Sequence, residues 1–300
     1  MKYKIKIFFL IMLFFPVILF GQDKPINEEW LKIDKSTFLN LMDVLLSNNN
    51  SIHFYQKNLK NLGQENQDIG FNAKRHIWHQ GGGYVDNWMT ICSYKDTIFY
   101  CKILITSTDV EKIEILAQRD STIQNLLNQN WRKKYSESHE YLEFEYLNEE
   151  LYSKYKTIVK NEFGEFREKE ADSLIYNDIQ ILTSPFENYA FGYACSVAGM
   201  PPKGRIAIEN IKKYDPTIVK DIILGYNPEG RIYGIEAFLE LVEQKKLEMT
   251  TEDRNIIKKV LNLNILINEC SGCIFTSILA KDLFREKKYR ELLKKNDIDL

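Results

Sequence analysis

The chain reads as an α+β protein. A region over 22–185 is expected to hold a small antiparallel sheet with flanking helices, and 186–300 a mostly α-helical region. Three observations predict this. Two strand-like segments, 84–94 and 97–106, meet at the turn signal Lys95-Asp96. Apolar residues recur near a helical period from Trp30 to Leu46. From about residue 186 the texture becomes helical, with short Pro and Gly punctuation.

Composition bounds the answer further. Three hundred residues suit one large domain or two ordinary ones. With 44% hydrophobic and 27% charged residues, and only 14 Gly and 7 Pro, the chain is neither disordered nor collagen-like. Lys and Arg number 40 against 42 acids, so no basic excess points to nucleic acid.

Residues 1–21 have the layout of a secretory signal peptide. Lys2, Lys4 and Lys6 precede an unbroken apolar run from Ile7 to Phe20, and small Gly21 follows. That run is shorter than the roughly 20 residues a spanning helix needs, although an uncleaved anchor is the alternative reading. The ending Leu19-Phe20-Gly21-Gln22 resembles signal peptides of Gram-negative envelope proteins. Cleavage there removes three lysines and leaves a mildly acidic chain with no further span. A periplasmic or secreted protein is expected.

The elements follow in order. Residues 22–49 read as a linker and then a helix carrying Leu31, Phe38, Leu41, Met42 and Leu45, stopped by Asn48-Asn49-Asn50. The segment 97–106 alternates Ile98, Tyr100, Ile103 and Ile105, residue types that strands favour. Residues 118–133 read as helical. Residues 147–170 read as a long charged helix with Leu151, Tyr155 and Ile158 on one face. Leu174 to Leu182 reads as a strand or an extended connection, and Pro185 marks a break.

Past residue 186, Pro202-Lys203-Gly204-Arg205-Ile206 is echoed by Pro228-Glu229-Gly230-Arg231-Ile232. Arg231, Gly234, Ala237, Phe238 and Leu241 set a phase that Arg205 with Ile208 and Ile211, and Arg254 with Ile257, Val260 and Leu261, repeat. Thr250-Thr251-Glu252-Asp253 supplies a capping segment before the third copy. Over 200–265 this pattern resembles the second helix of HEAT-type repeats. The resemblance implies stacked helices that hide one another's apolar faces, with small Gly234 and Ala237 admitting a close neighbour. It implies no catalytic residues.

Five cysteines are present. Exported thiols tend to pair, and an odd number leaves one over. Cys92 and Cys101 flank the Lys95-Asp96 turn, where a hairpin could bring them together. Cys270-Ser271-Gly272-Cys273 is a CxxC that could close on itself as a structural disulfide. It could also act as a redox dithiol, join a zinc site, or stay reduced. Cys195 is left as a buried structural thiol, with a weaker reading as a nucleophile.

The other candidate chemistry lies in His76-Ile77-Trp78-His79-Gln80-Gly81-Gly82-Gly83-Tyr84-Val85-Asp86. His76 and His79 could join Asp86 or His53 on a metal, although residues three apart on a strand point to opposite faces. The His79-Gln80-Gly81-Gly82-Gly83 run resembles the His-Gly-Gly-Gly-like oxyanion loop of some esterases, but the chain lacks their Gly-x-Ser-x-Gly elbow. His139-Glu140-Tyr141-Leu142-Glu143 misses the second histidine of a zinc-protease helix. No Walker loop, dinucleotide fingerprint or EF-hand loop is present.

The expectation is therefore an exported, non-enzymatic binding or structural module that meets an unidentified protein or envelope component through its helical region. No cofactor or metal is expected. The alternative is an envelope hydrolase or thiol-redox protein using the 76–86 loop or the Cys270 and Cys273 pair.

Overall fold

A computed structural model describes residues 26–47, 49–60, 62, 65–107, 115, 118–121, 132–135, 140–166, 173–195 and 198–300. The expected signal peptide lies outside the described residues, as does most of the helix expected over 118–133. The fold is α+β.

Helix α1 (Glu28–Leu46) begins where Asn27 accepts from the Glu29 and Trp30 amides, with Glu28 and Glu29 favourably placed in the first turn. Helix α2 (Ile52–Asn58) follows. Strands β1 (Glu65–Gly70), β2 (Ala73–Gln80), β3 (Val85–Tyr94), β4 (Thr97–Ser107), β5 (Arg132–Tyr135) and β6 (Glu140–Leu147) form one antiparallel sheet in the order β1-β2-β3-β4-β6-β5. The β3–β4 turn is Lys95-Asp96, as expected, and both residues adopt positive φ (46° and 64°). Such φ values match the right-handed twist of the flanking strands.

Alternation along the strands sorts side chains to two faces. Trp78, Met89, Ile91, Cys101 and Ile103 pack under Phe38, Leu41, Met42 and Tyr55 of α1 and α2. Ile69, Ala73, Cys92, Phe99 and Tyr100 join a second, larger core with the later helices. That core runs across residue 185.

Helix α3 (Glu149–Phe163) is shorter than the expected 147–170 element, because Gly164 turns the chain at φ 105°. Helix α4 (Ser173–Thr183) stands where a strand or extended connection was expected. Ile175, Ile179 and Leu182 bury one helical face, a period of three and four that the run of apolar neighbours obscured. Then come α5 (Lys203–Tyr214), a 3-10 turn (Pro216–Ile218), α6 (Val219–Ile223), α7 (Pro228–Glu243) and α8 (Thr251–Leu261). Helix α7 is buried on nearly all sides. Asn227 caps it by accepting from the Gly230 amide, and Pro228 fills its first position. Gly234 lies against Ile222 and Ile223 of α6. The Thr250–Asp253 segment forms a reciprocal capping box on α8.

The last part departs from pure helix. Strands β7 (Leu266–Ser271) and β8 (Ile274–Leu279) form a hairpin before the short α9 (Ala280–Leu283) and α10 (Lys287–Lys295). Phe191 and Cys195 lie alongside β7 through parallel bridges to Glu269 and Gly272. No described helix is long and apolar enough to cross a membrane.

Candidate functional site

The cysteines do not pair as the sequence suggested. A disulfide joins Cys195 to Cys270, while Cys92, Cys101 and Cys273 are reduced. In the β3–β4 ladder Cys92 faces Tyr100 and Cys101 faces Ile91, so the two thiols sit on opposite faces of the sheet. Burial pushes each of them up to about 12. Cys270 meets Cys195 because the 191–195 segment runs beside β7, and Cys273 is left exposed past the Gly272 turn. Cys195 is therefore neither a free structural thiol nor an available nucleophile.

The 76–86 histidines do not converge. His76 is buried beside Ser93, with its ring Nε2 at 3.3 Å from the Ser93 hydroxyl. Burial and then Lys74 hold its pKa down at about 4. His79 points the other way, stacks on Trp88 at 3.9 Å and pairs with Asp86 at 3.3 Å. His53 lies at 3.8 Å from Asp96. Just past the glycines, the buried Asp34 carboxyl of α1 accepts from the Tyr84 amide at 2.9 Å. A Cβ on Gly83 would fall 2.2 Å from its Oδ1, so any larger residue there would have to displace the Asp34 carboxyl. Burial raises the Asp34 pKa, and the Tyr84 and Val85 amides oppose that rise. Among the described residues, no group of three or more His, Cys, Asp or Glu is placed to hold a metal. Glu143 lies on β6 and pairs with Lys102 at 2.9 Å.

The repeat arginines tie helices to their surroundings. Arg205 pairs with the buried Glu236 at 2.6 Å and donates from Nε to the Gly192 carbonyl. Its guanidinium lies over the Tyr193 ring at 3.9 Å. Arg231 donates from Nε to the Gly225 carbonyl at 2.8 Å and lies over Phe163. Arg254 reaches the Asn296 carbonyl at 3.2 Å.

The cavity that stands out was not signalled by any of these residues. A cleft of about 600 Å³ opens between the β1–β2 end of the sheet and the β7–β8 hairpin. Gln67, Arg75 and Ile77 form one wall, Asn268, Phe275 and Ser277 the other, and Asn188 to Ala190 line it between them. Its volume suits ligand recognition.

The floor of the cleft is a buried polar network, in which the Arg75 Nε alone has no partner among the Arg75 nitrogens. Arg75 and Glu229 are fully buried and pair at 3.3 Å. Arg75 also donates to the Gln67 side-chain oxygen and to the Pro185 and Glu187 carbonyls. Glu229 Oε1 accepts from Gln67 Nε2 and, at 3.0 Å, from the Asn268 amide of β7. One carboxylate on α7 thereby joins the sheet to the hairpin. The two charges cancel, and the remaining lining is uncharged.

The rim carries an unpaired strand edge. Strand β8 has β7 as its single strand neighbour among the described residues. Its Ile274 to Ser277 stretch is exposed, and no residue from Ile274 to Leu279 is charged. The closing pair of the hairpin is Ser271 with Ile274. Because hydrogen-bonded pairs alternate with open ones, the backbone N–H and C=O groups of Phe275 and Ser277 point away from β7.

The chain matches no family model, no curated protein and no solved structure.

Proposed function

We propose that the protein is a non-catalytic binding module whose cleft takes an extended, uncharged polypeptide segment by strand addition to β8. The observation that carries this reading is the exposed, charge-free edge of β8 at the rim of a neutral, amide-lined cleft. Exposed edges with no lysine or proline pair readily with another strand. Asn and Gln side chains present a donor and an acceptor that match a peptide bond. Phe275 and Ile77 offer apolar contact for alternate side chains of the guest.

The helical region takes part through α7, whose Glu229 fixes the hairpin wall. Stacked helices of HEAT type, held by Arg205, Arg231 and Arg254, would form the scaffold behind it. The leader-like residues 1–21 and the Cys195–Cys270 disulfide support a periplasmic or secreted setting, with another protein as partner.

The test is binding of the full chain to an array of peptides, followed by fluorescence polarisation with those that bind. Bound peptides are expected to be uncharged and rich in β-branched residues. Ser277→Pro removes an outward N–H and should weaken binding about tenfold or more, while thermal unfolding confirms the fold. Binding to oligosaccharides but no peptide, or unaltered binding by Ser277→Pro, contradicts the reading.

A further inference from the structure

A second cavity, separate from the cleft, lies between β4, β6, α3 and α4 and has a volume of about 360 Å³. Five aromatic rings line it: Tyr100, Tyr152, Phe166, Phe186 and Tyr226. Tyr100 and Phe186 stack at 3.7 Å with planes 10° apart. The remaining planes turn steeply. Tyr152 meets Phe186 at 48° and Tyr226 at 67°, and Phe166 meets Tyr226 at 78°. Rings that turn this way wall a space from several sides instead of stacking in one direction.

The charges around this space favour a cation. Glu145 and Glu187 both line it. Glu145 accepts from the Tyr100 hydroxyl at 2.8 Å. The Tyr100 pKa is pushed well up, first by burial and then by Glu145, with Glu187 adding to the rise. Glu187 is also paired with Lys203. Lys102 is the one cation of the lining, and Glu143 holds it at 2.9 Å.

We propose that this aromatic pocket binds a methylated ammonium group, its methyls against the rings and its charge balanced by Glu145. Ring faces attract cations, and a trimethylammonium group gives up less hydration than a bare ammonium when aromatic walls replace water. The group could come from a free small cation or from a lipid headgroup.

The test uses the full chain. Choline is titrated while the methyl proton resonance of the ligand is followed, since ring currents shift it on entry. Saturable binding with Kd of about 1 mM is expected. The neutral isostere 3,3-dimethylbutan-1-ol should bind about tenfold more weakly. Glu145 is solvent-exposed, so Glu145→Gln should fold normally and weaken choline about threefold or more. Phe166→Leu tests the ring with a conservative change and should also weaken it. Flotation with phosphatidylcholine against phosphatidylglycerol vesicles separates the two sources. Selective flotation with the former assigns a headgroup, and choline binding without flotation assigns a free cation. Absence of choline binding, or equal binding of choline and its neutral isostere, overturns the proposal.

Discussion

Replacing Glu229 with Gln keeps the size of the side chain and removes its charge. Glu229 and Arg75 are both buried, so the change leaves an uncompensated guanidinium in the core. Breaking a buried pair from one side costs about 3–5 kcal/mol. For a chain of 300 residues each kcal/mol moves the midpoint by about 1.6 °C, so Tm should fall by about 5–8 °C. The hydrogen bonds made by Glu229 to Gln67 and to the Asn268 amide place the loss at the junction of sheet and hairpin. Urea unfolding of Glu229→Gln, Arg75→Met and the pair Arg75→Met with Glu229→Met gives the coupling energy. The double variant should be more stable than Glu229→Gln alone, because no charge is then stranded. A Glu229→Gln protein within about 1 kcal/mol of the parent would refute the network as the joint between these elements.

Three further outcomes are expected. Iodoacetamide on the native protein at pH 8 should label Cys273 and spare Cys92 and Cys101, as peptide mass mapping would reveal; fast labelling of either buried thiol counts against their placement. Reducing the Cys195–Cys270 bond, which spans 75 positions, should cost roughly 4 kcal/mol by the chain-entropy argument, read as a lower urea midpoint in reductant; an unchanged midpoint contradicts it. His76 is held neutral in the fold with its pKa down at about 4, whereas the unfolded chain protonates near 6.5, so stability is full above about 6.5 and is lost as pH falls toward 4; His76→Gln should flatten that window in pH-dependent melts.

Local chemistry made some of this fold legible and hid the rest. Lys95 and Asp96 announce the β3–β4 turn because their own backbone preference closes it. Thr250 and Asp253, and Asn227 with Pro228, announce helix starts because caps act within one turn. The Cys92 and Cys101 pairing failed on register: an irregularity after Cys92 sets it opposite Tyr100, and alternation sends the two thiols to different faces. The Cys195–Cys270 bond and the β7–β8 hairpin depend on contacts between distant segments, which no local pattern encodes. The glycine loop looked like an anion cradle, but the amides that meet the Asp34 carboxyl of α1 are those of Tyr84 and Val85, just past the glycines.

The cleft was invisible for the same reason. Gln67, Arg75, Asn188 and Asn268 are ordinary polar residues until the fold gathers them. One signal was present. Helix α7 is buried on nearly all sides although five of its sixteen residues are charged, so a carboxylate at Glu229 had to find an internal partner, while Lys203 at the matching position of the earlier copy stays at the surface.

Amide hydrogen exchange on β8, with and without a bound peptide, bears most directly on the binding mode. Strand addition predicts that the outward Phe275 and Ser277 amides, which β7 does not engage, become protected while the amides already paired to β7 change little. Unchanged exchange at Phe275 and Ser277 under saturating peptide would contradict the account.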